Sequence, residues 1–236
     1  MREPDFKFRQ FSIWQDRCPM KVGTDGVLLG AWADVNSRRR ILDIGTGTGL
    51  IALMAAQRNS SAVITAVEID RSSAEQASEN VAMSPWHDRI SVIHSDILDF
   101  QSDEKFDAIL CNPPYFRNSL RCPESGRNNA RHCDTLSFDS LLQKASSLLS
   151  ENGEFSVIIP TDSVSAFTGM AASAGLQIHR TTDVFTRPEA QPKRTLLSFG
   201  MGWRDCEKTI IEMRDTNGNP SPSYIELVST FYLKIN

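Results

Sequence analysis

One segment constrains the fold more than any other, because an apolar strand runs into a glycine-rich turn and then into a helix. Arg40–Ile44 has the pattern of a buried strand, residues 45–49 carry glycine at every second position, and residues 50–56 have a helical pattern. Glycines let a ligand approach the backbone, and a helix N-terminus offers it free N–H groups. The dinucleotide fingerprint would require a sixth-position glycine where the chain has Leu50. The segment therefore predicts a nucleotide-like ligand site in an α/β protein.

Strand and helix patterns alternate from residue 40 to about residue 175. The pattern predicts an α/β, Rossmann-like fold with a seven-stranded mixed sheet and helices on both faces. The last strand, over 195–203, should pair antiparallel with the strand over 176–185, because the loop between them is too short for a crossover helix. Residues 209–213 can add one more strand.

The chain ends and the helix caps have weaker patterns. Aromatic residues alternate with polar ones over residues 6–14, which predicts an extended or hairpin segment. A short apolar helix over 27–33 is expected to have Thr24 or Asp25 as its N-cap, and residues 73–76 form a capping-box pattern. A final helix is expected over 224–233.

Length and composition suit one globular domain. The 236 residues are 40% hydrophobic and 23% charged. We expect a single domain made of an extension (1–39), a core (40–203) and a C-terminal addition (204–236). No apolar run is long enough for a transmembrane helix, and residues 1–6 lack the apolar core of a signal peptide. Five cysteines without a C-x-x-C pair predict a reducing, cytoplasmic location, and the histidines show no metal-ligand spacing.

Acidic residues stand at the ends of the next strands. Glu68 follows the strand over 62–67, about 20 residues past the glycines, where a carboxylate can accept hydrogen bonds from ribose hydroxyls. Asp96 follows Ile90–His94 and can accept a hydrogen bond from an adenine amino group, with Ile97 against the ring. Asp43 lies at the end of the first core strand. The alternative for each is structural: a surface charge for Asp43, a helix cap for Glu68 and a turn for Asp96.

A tetrapeptide after the strand Phe106–Cys111 indicates the chemistry. The side-chain oxygen of Asn112 and the carbonyl of Pro113 can accept the two hydrogens of an amino group. Pro114 makes the turn rigid, and Tyr115 offers a flat face on which a ring can stack. This clamp suits the methylation of an exocyclic amine or an amide nitrogen. The alternative is a rigid turn with Tyr115 as a packing residue.

Charge is uneven along a chain whose net charge is −4. We expect phosphate contacts from two basic clusters, of which one follows the clamp and the other lies before the last core strand: Arg117, Arg121, Arg127 and Arg131, then Arg187, Lys193 and Arg194. Lys21 and Thr24 precede the first core strand. They can touch a cofactor carboxylate or the substrate, or they can belong to a capping turn.

The glycine turn, the strand-end acids and the clamp together resemble the class I S-adenosylmethionine-dependent amino-methyltransferases. Residues 19–26, 112–116, 130–132, 192–194 and 231–234 further resemble the bacterial tRNA1(Val) (adenine-N6)-methyltransferases. The resemblance implies S-adenosyl-L-methionine as cofactor and tRNA as partner, with methylation of the adenine next to the anticodon, at position 37. It implies these cofactor-binding residues: Lys21, Thr24, Asp43, Gly45, Gly47, Gly49, Glu68, Asp96, Ile97 and Asn112. The implied catalytic residues are Asn112, Pro113, Pro114 and Tyr115.

Other functions remain open from the residues alone. The enzyme can act on ribosomal RNA or another tRNA, or on a glutamine of a peptide release factor, although those glutamine enzymes carry a helical domain before the cofactor motif. The chain can also be a non-catalytic module that binds S-adenosylmethionine or RNA. A dinucleotide-dependent oxidoreductase is disfavoured by Leu50 and by the clamp.

Overall fold

The computed structural model describes residues 3–114 and 136–235. Within these ranges the strands are β1 (Phe6–Lys7), β2 (Ser12–Ile13), β3 (Arg40–Ile44), β4 (Val63–Glu68), β5 (Ile90–His94), β6 (Phe106–Cys111), β7 (Leu149–Pro160), β8 (Gln177–Phe185), β9 (Arg194–Gly200) and β10 (Glu207–Glu212). The α-helices are α1 (Thr24–Trp32), α2 (Leu50–Arg58), α3 (Arg71–Ala82), α4 (Phe138–Leu148), α5 (Val164–Ser173) and α6 (Pro222–Val228).

The main sheet confirms the Rossmann-like α/β fold. Its strand order is β10-β8-β9-β7-β6-β3-β4-β5. Strand β9 is antiparallel to both of its neighbours, β7 and β8, as the short loop before it predicts. The described sheet has eight strands rather than seven, because residues 207–212 join as β10, parallel to β8.

Helices cover both faces of this sheet, as expected from strands that are apolar on both sides. On one face, Val27 of α1, Leu53 of α2 and Val228 of α6 belong to one buried apolar cluster. On the other face, Leu142 of α4 and Phe167 of α5 belong to a second cluster. None of the helices in the described ranges is long and apolar enough to span a membrane.

The two ends of the described chain pack together against the first cluster. Strands β1 and β2 form an antiparallel hairpin, which confirms the prediction for the N-terminal aromatic segment. The rings of Phe8 and Tyr232 stack with their centroids 5.8 Å apart. Phe8, Ile41 and Phe231 lie in the same buried cluster, so apolar packing joins the extension, the core and the C-terminal addition. The single-domain division itself remains a prediction.

Three helix ends differ from the sequence-based expectations. Helix α1 has Gly23 as its N-cap with an extended backbone, so Thr24 and Asp25 lie inside the first turn and do not cap it. Helix α3 is capped by Asp70, whose side chain accepts a hydrogen bond from the backbone N–H of Ser73, so the capping box predicted at 73–76 was placed three residues late. The last helix, α6, covers Pro222–Val228 and not residues 224–233, so it begins and ends earlier than the sequence predicts.

Candidate active site

The carboxyl ends of four neighbouring strands meet at one edge of the sheet. In sheet order these strands are β6, β3, β4 and β5. They end at or just before the clamp, the glycine turn, Glu68 and Asp96, so the structure brings all four predicted motifs to one edge. Ligands of open parallel sheets bind at this edge, outside the strand ends.

The glycine turn depends on left-handed backbone at its three glycines. Gly45, Gly47 and Gly49 have φ values of 68°, 56° and 83°, which other residues rarely adopt. A Cβ atom at Gly45 would meet no atom of the described residues within 4 Å, so the backbone here borders space that these residues leave open. At Gly49, a Cβ atom would lie 3.5 Å from the Cβ atom of Ala77 in α3. The turn thus combines unusual backbone with an open side suited to a ligand.

Asp43 is a buried anchor of this turn and is not a surface charge. It is fully buried. One carboxylate oxygen accepts hydrogen bonds from the Thr46 hydroxyl at 2.6 Å and from the Ala52 backbone N–H at 3.1 Å. The other oxygen, Oδ1, has no hydrogen-bond partner among the described residues. Burial raises the pKa of Asp43 to about 7, although both hydrogen bonds act to lower it.

Glu68 is buried, and its carboxylate joins the glycine turn to the residues before α3. One carboxylate oxygen accepts from the backbone N–H of Gly47 at 2.8 Å, and the other accepts from the N–H of Asp70 at 3.0 Å. A carboxylate has about four acceptor positions, so Glu68 can still accept hydrogen bonds from a ligand's hydroxyl groups. The alternative role as cap of the next helix is wrong, because Asp70 caps α3.

Asp96 and Ile97 lie together just beyond β5. Asp96 is half-buried, and its Oδ1 accepts a hydrogen bond from the backbone N–H of Leu98 at 2.8 Å. Ile97 is buried in the second apolar cluster. A carboxylate beside an aliphatic side chain can recognise an amino group on a flat ring.

The clamp follows β6 directly. Asn112 is half-buried, Pro113 is buried and Pro114 is exposed, whereas Tyr115 lies outside the described residues. The first turn of α1 approaches Asn112 closely, because a Cβ atom at Gly26 would lie 3.9 Å from the amide nitrogen of Asn112 and 3.1 Å from Leu50. Helix α1 therefore forms one wall beside the clamp amide.

Residues 14–22, for most of which the sequence predicts no helix or strand, lie against α3 and the glycine turn; we call this segment the strap. Buried Asn80 of α3 accepts from the N–H of Trp14 at 2.9 Å and donates to the carbonyls of Trp14 and Thr48, each at 2.8 Å. Asn80 was missed because a lone asparagine in a helix gives no signal of partners 66 and 32 residues away.

Within and beside the strap lie the two residues predicted to touch a cofactor carboxylate. Both are exposed. The ammonium group of Lys21 donates to the backbone carbonyl of Gln15, and Thr24 is the first residue of α1. The structure therefore places both near the strap and α1, and their contact with a ligand remains a prediction.

The predicted phosphate-binding residues fall into three groups. Arg187 and Lys193 are exposed on the loop between β8 and β9, at the same edge of the sheet as the clamp. Arg194 instead forms an ion pair with Asp25, its Nε lying 2.8 Å from a carboxylate oxygen. The remaining four, Arg117, Arg121, Arg127 and Arg131, lie outside the described residues. Among the described residues, no three His, Cys, Asp or Glu side chains cluster as metal ligands would.

The sheet order, with helices on both faces, is the fold of the class I methyltransferases. Solved structures share the fold: a predicted O-methyltransferase from Agrobacterium tumefaciens (TM-score 0.66, 24% identity, 88% of this chain and 96% of that one). A ribosomal protein L11 methylase from Lactobacillus delbrueckii is similar too (TM-score 0.58, 19% identity, 84% of this chain and 89% of that one).

Sequence comparison gives the family. Residues 22–170 match the methyltransferase small domain family, to which the chain belongs. The tRNA1(Val) (adenine(37)-N6)-methyltransferase of Bacteroides fragilis is 51% identical over 100% of both chains. The enzyme of the same name from Aeromonas hydrophila is 44% identical over 99% of both. The chain is therefore a member of the tRNA1(Val) (adenine-N6)-methyltransferase family, as the resemblance of its motifs indicated.

Proposed function

We propose that this protein transfers a methyl group from S-adenosyl-L-methionine to the 6-amino group of an adenine in tRNA. The target is the adenine at position 37, next to the anticodon of tRNA1(Val), and the protein acts in the cytoplasm as a single domain. The observation that carries the proposal is full-length similarity to relatives of that name, combined with a clamp at the carboxyl edge of the sheet.

The described residues fit S-adenosylmethionine at this edge. The open side of the glycine turn at Gly45 leaves room for a ligand beside the backbone. Glu68 has acceptor positions left for ribose hydroxyls, and Asp96 with Ile97 suits an adenine ring and its amino group. The Asp43 oxygen that has no partner among the described residues is buried beneath the turn, and helix α2 begins there with no side-chain cap at Gly49.

The target amine is a poor nucleophile, because its lone pair is conjugated with the adenine ring. The Asn112 side-chain oxygen and the Pro113 carbonyl accept hydrogen bonds from its two N–H groups, which favours a tetrahedral nitrogen and frees the lone pair. When bound, the cofactor supplies an electrophilic methyl group on a sulfonium. The glycine turn, Glu68 and Asp96 would hold the cofactor, and Asn112 with Pro113 would hold the amine. The methyl group would then pass from sulfur to nitrogen, and the nitrogen would release one proton to solvent. Positioning and electrostatics supply the rate.

Recognition of the RNA is divided between the base and the backbone. Tyr115 is proposed to stack on the target adenine, which must leave the stack of the anticodon loop. The exposed Arg187 and Lys193 are proposed to contact phosphates, since they border the same edge of the sheet as the clamp. The four arginines between residues 117 and 131 are proposed to do the same.

The test is methyl transfer from labelled S-adenosylmethionine into tRNA purified from cells that lack the modification. The tRNA is digested to nucleosides, and a peptide release factor is assayed in parallel. We expect the label in N6-methyladenosine from tRNA, with none in the release factor. Label in the release factor alone, or in another nucleoside, would refute the proposal.

A further inference from the structure

We propose that the ion pair between Arg194 and Asp25 is a positioning device, which holds the first turn of α1 against the clamp amide and thereby supports the transfer step. This inference rests on the proposed function. It assigns Arg194 a role different from the phosphate contact that its loop sequence predicts. It also gives Asp25, which does not cap α1, the role of anchoring the first turn of that helix.

The first turn of α1 is held weakly by its own sequence. Its N-cap is Gly23, whose missing side chain leaves the helix without a side-chain cap. Asp25 is the only acidic residue in the first turn, where a negative charge interacts favourably with the helix dipole. Since local capping is minimal, contacts with other elements have to fix the position of this turn.

Arg194 supplies such a contact from a rigid part of the fold. It is the first residue of β9 and pairs with Pro160 of β7 on one side and Val184 of β8 on the other. Its Nη1 also donates to the carbonyl of Lys193 at 3.0 Å. Strand pairing therefore fixes the backbone that carries the guanidinium. Its Nε donates to a carboxylate oxygen of Asp25 at 2.8 Å.

The residue after Asp25 faces the clamp. A Cβ atom at Gly26 would lie 3.9 Å from the Asn112 amide nitrogen, with Leu50 nearer still. A small shift of this turn would therefore change the space beside the amide that is proposed to hold the target amine. Displacements of about 1 Å can cost an enzyme about 10²-fold in rate.

The pair is suited to positioning more than to stability. The side chains of Arg194 and Asp25 retain 32% and 24% of their solvent exposure, and ion pairs that are partly exposed contribute little to the free energy of folding. Variants that break the pair are therefore expected to fold. In these variants the rate of the transfer step should fall, whereas the free energy of unfolding should change little.

The experiment is a double-mutant cycle with Asp25→Asn, Arg194→Gln and the double variant. At saturating tRNA and cofactor we expect each single variant to lower the single-turnover rate about tenfold. We expect the double variant to be no slower than the worse single variant, since the two residues act as one unit. KM for tRNA and its salt dependence should stay within about twofold of the unmodified protein.

Three comparisons make the result specific. Arg40→Gln and Glu104→Gln break another partly exposed ion pair, at the opposite edge of the sheet, and should leave the transfer rate unchanged. Lys193→Gln removes the neighbouring cation and should raise KM for tRNA with kcat unchanged. Arg194→Lys keeps the charge and should recover part of the rate lost in Arg194→Gln.

The outcomes separate the inference from the proposed function. If the unmodified protein does not methylate tRNA, the proposed function fails. If it does, and Arg194→Gln raises KM for tRNA and flattens its salt dependence with kcat unchanged, Arg194 is a phosphate contact and the inference is overturned. Additive losses in the double variant would overturn it as well.

Discussion

Replacing Asp43 with asparagine should make the free protein more stable at neutral pH, although Asp43 lies at the centre of the candidate site. The carboxyl group is fully buried, and burial raises its pKa from 3.8 to about 7. Asparagine has nearly the same shape and can keep an oxygen where Thr46 and Ala52 donate. It removes the charge that burial disfavours.

The magnitude follows from the two pKa values. In the unfolded chain the carboxyl ionises near its ordinary value, whereas in the folded protein it stays protonated until about pH 7. Between these values the unfolded state binds fewer protons, so the contribution of Asp43 to stability is lost as pH rises. About three pH units at about 1.4 kcal/mol each give roughly 4 kcal/mol. The loss is complete above the folded pKa.

The assay is urea denaturation of the unmodified protein and Asp43→Asn at intervals from pH 4 to pH 8, without cofactor. All other groups titrate alike in both proteins, so the difference between their unfolding free energies reports on Asp43 alone. We expect that difference to move by about 4 kcal/mol in favour of Asp43→Asn between pH 4 and pH 8.

A second variant checks the cause. The Thr46 hydroxyl donates to Asp43 and lowers its pKa, so Thr46→Val should raise that pKa further and extend the loss of stability above pH 7. Parallel curves for the unmodified protein and Asp43→Asn would refute the reasoning. So would a difference that favours the carboxylate as pH rises.

Three further changes test separate parts of the structure. Asn112→Ala should lower kcat for methyl transfer about 10²-fold or more while cofactor affinity, measured by calorimetry, changes little; a normal kcat would contradict the clamp. Gly30→Ala should lower the free energy of unfolding by about 1 kcal/mol or more, because its Cβ atom would lie 2.7 Å from the Met54 sulfur. Gly169→Ala would meet no atom of the described residues within 4 Å and should raise that free energy by up to about 1 kcal/mol. Denaturation curves that rank the two variants the other way would contradict this packing. Asn80→Asp should lower the free energy of unfolding by about 2 kcal/mol or more and weaken cofactor binding, because it turns two donated hydrogen bonds into acceptor–acceptor contacts. Unchanged stability and affinity would mean that the strap does not support the glycine turn.

Sequence patterns predicted those parts of the fold that depend on neighbours along the chain. Strands β3, β5 and β6 have the predicted limits, because each is a short apolar run bounded by polar or glycine residues. The strand-end motifs meet as expected, since parallel strands carry their carboxyl ends to one edge. Strand β9 is antiparallel because the loop before it is short.

Contacts between distant residues could not be predicted in this way. Arg194 and Asp25 are 169 residues apart, and an arginine in a basic loop has the same pattern whether it meets a phosphate or a carboxylate. Asn80 lies in α3 and is hydrogen-bonded to the strap, and nothing in the sequence of that helix indicates a partner so far along the chain. The cap of α1 was misplaced because Gly23 supplies the extended backbone of a cap with no capping side chain.

The position of the methyl group in the RNA tests the central claim most directly. After reaction with the unmodified protein, tRNA1(Val) would be cut by a base-specific nuclease and its fragments weighed by mass spectrometry, beside a transcript with guanine at nucleotide 37. We expect one methyl group, on the fragment that contains adenine 37, and none on the guanine transcript. A methyl group on another fragment, or equal methylation of the two transcripts, would contradict the account.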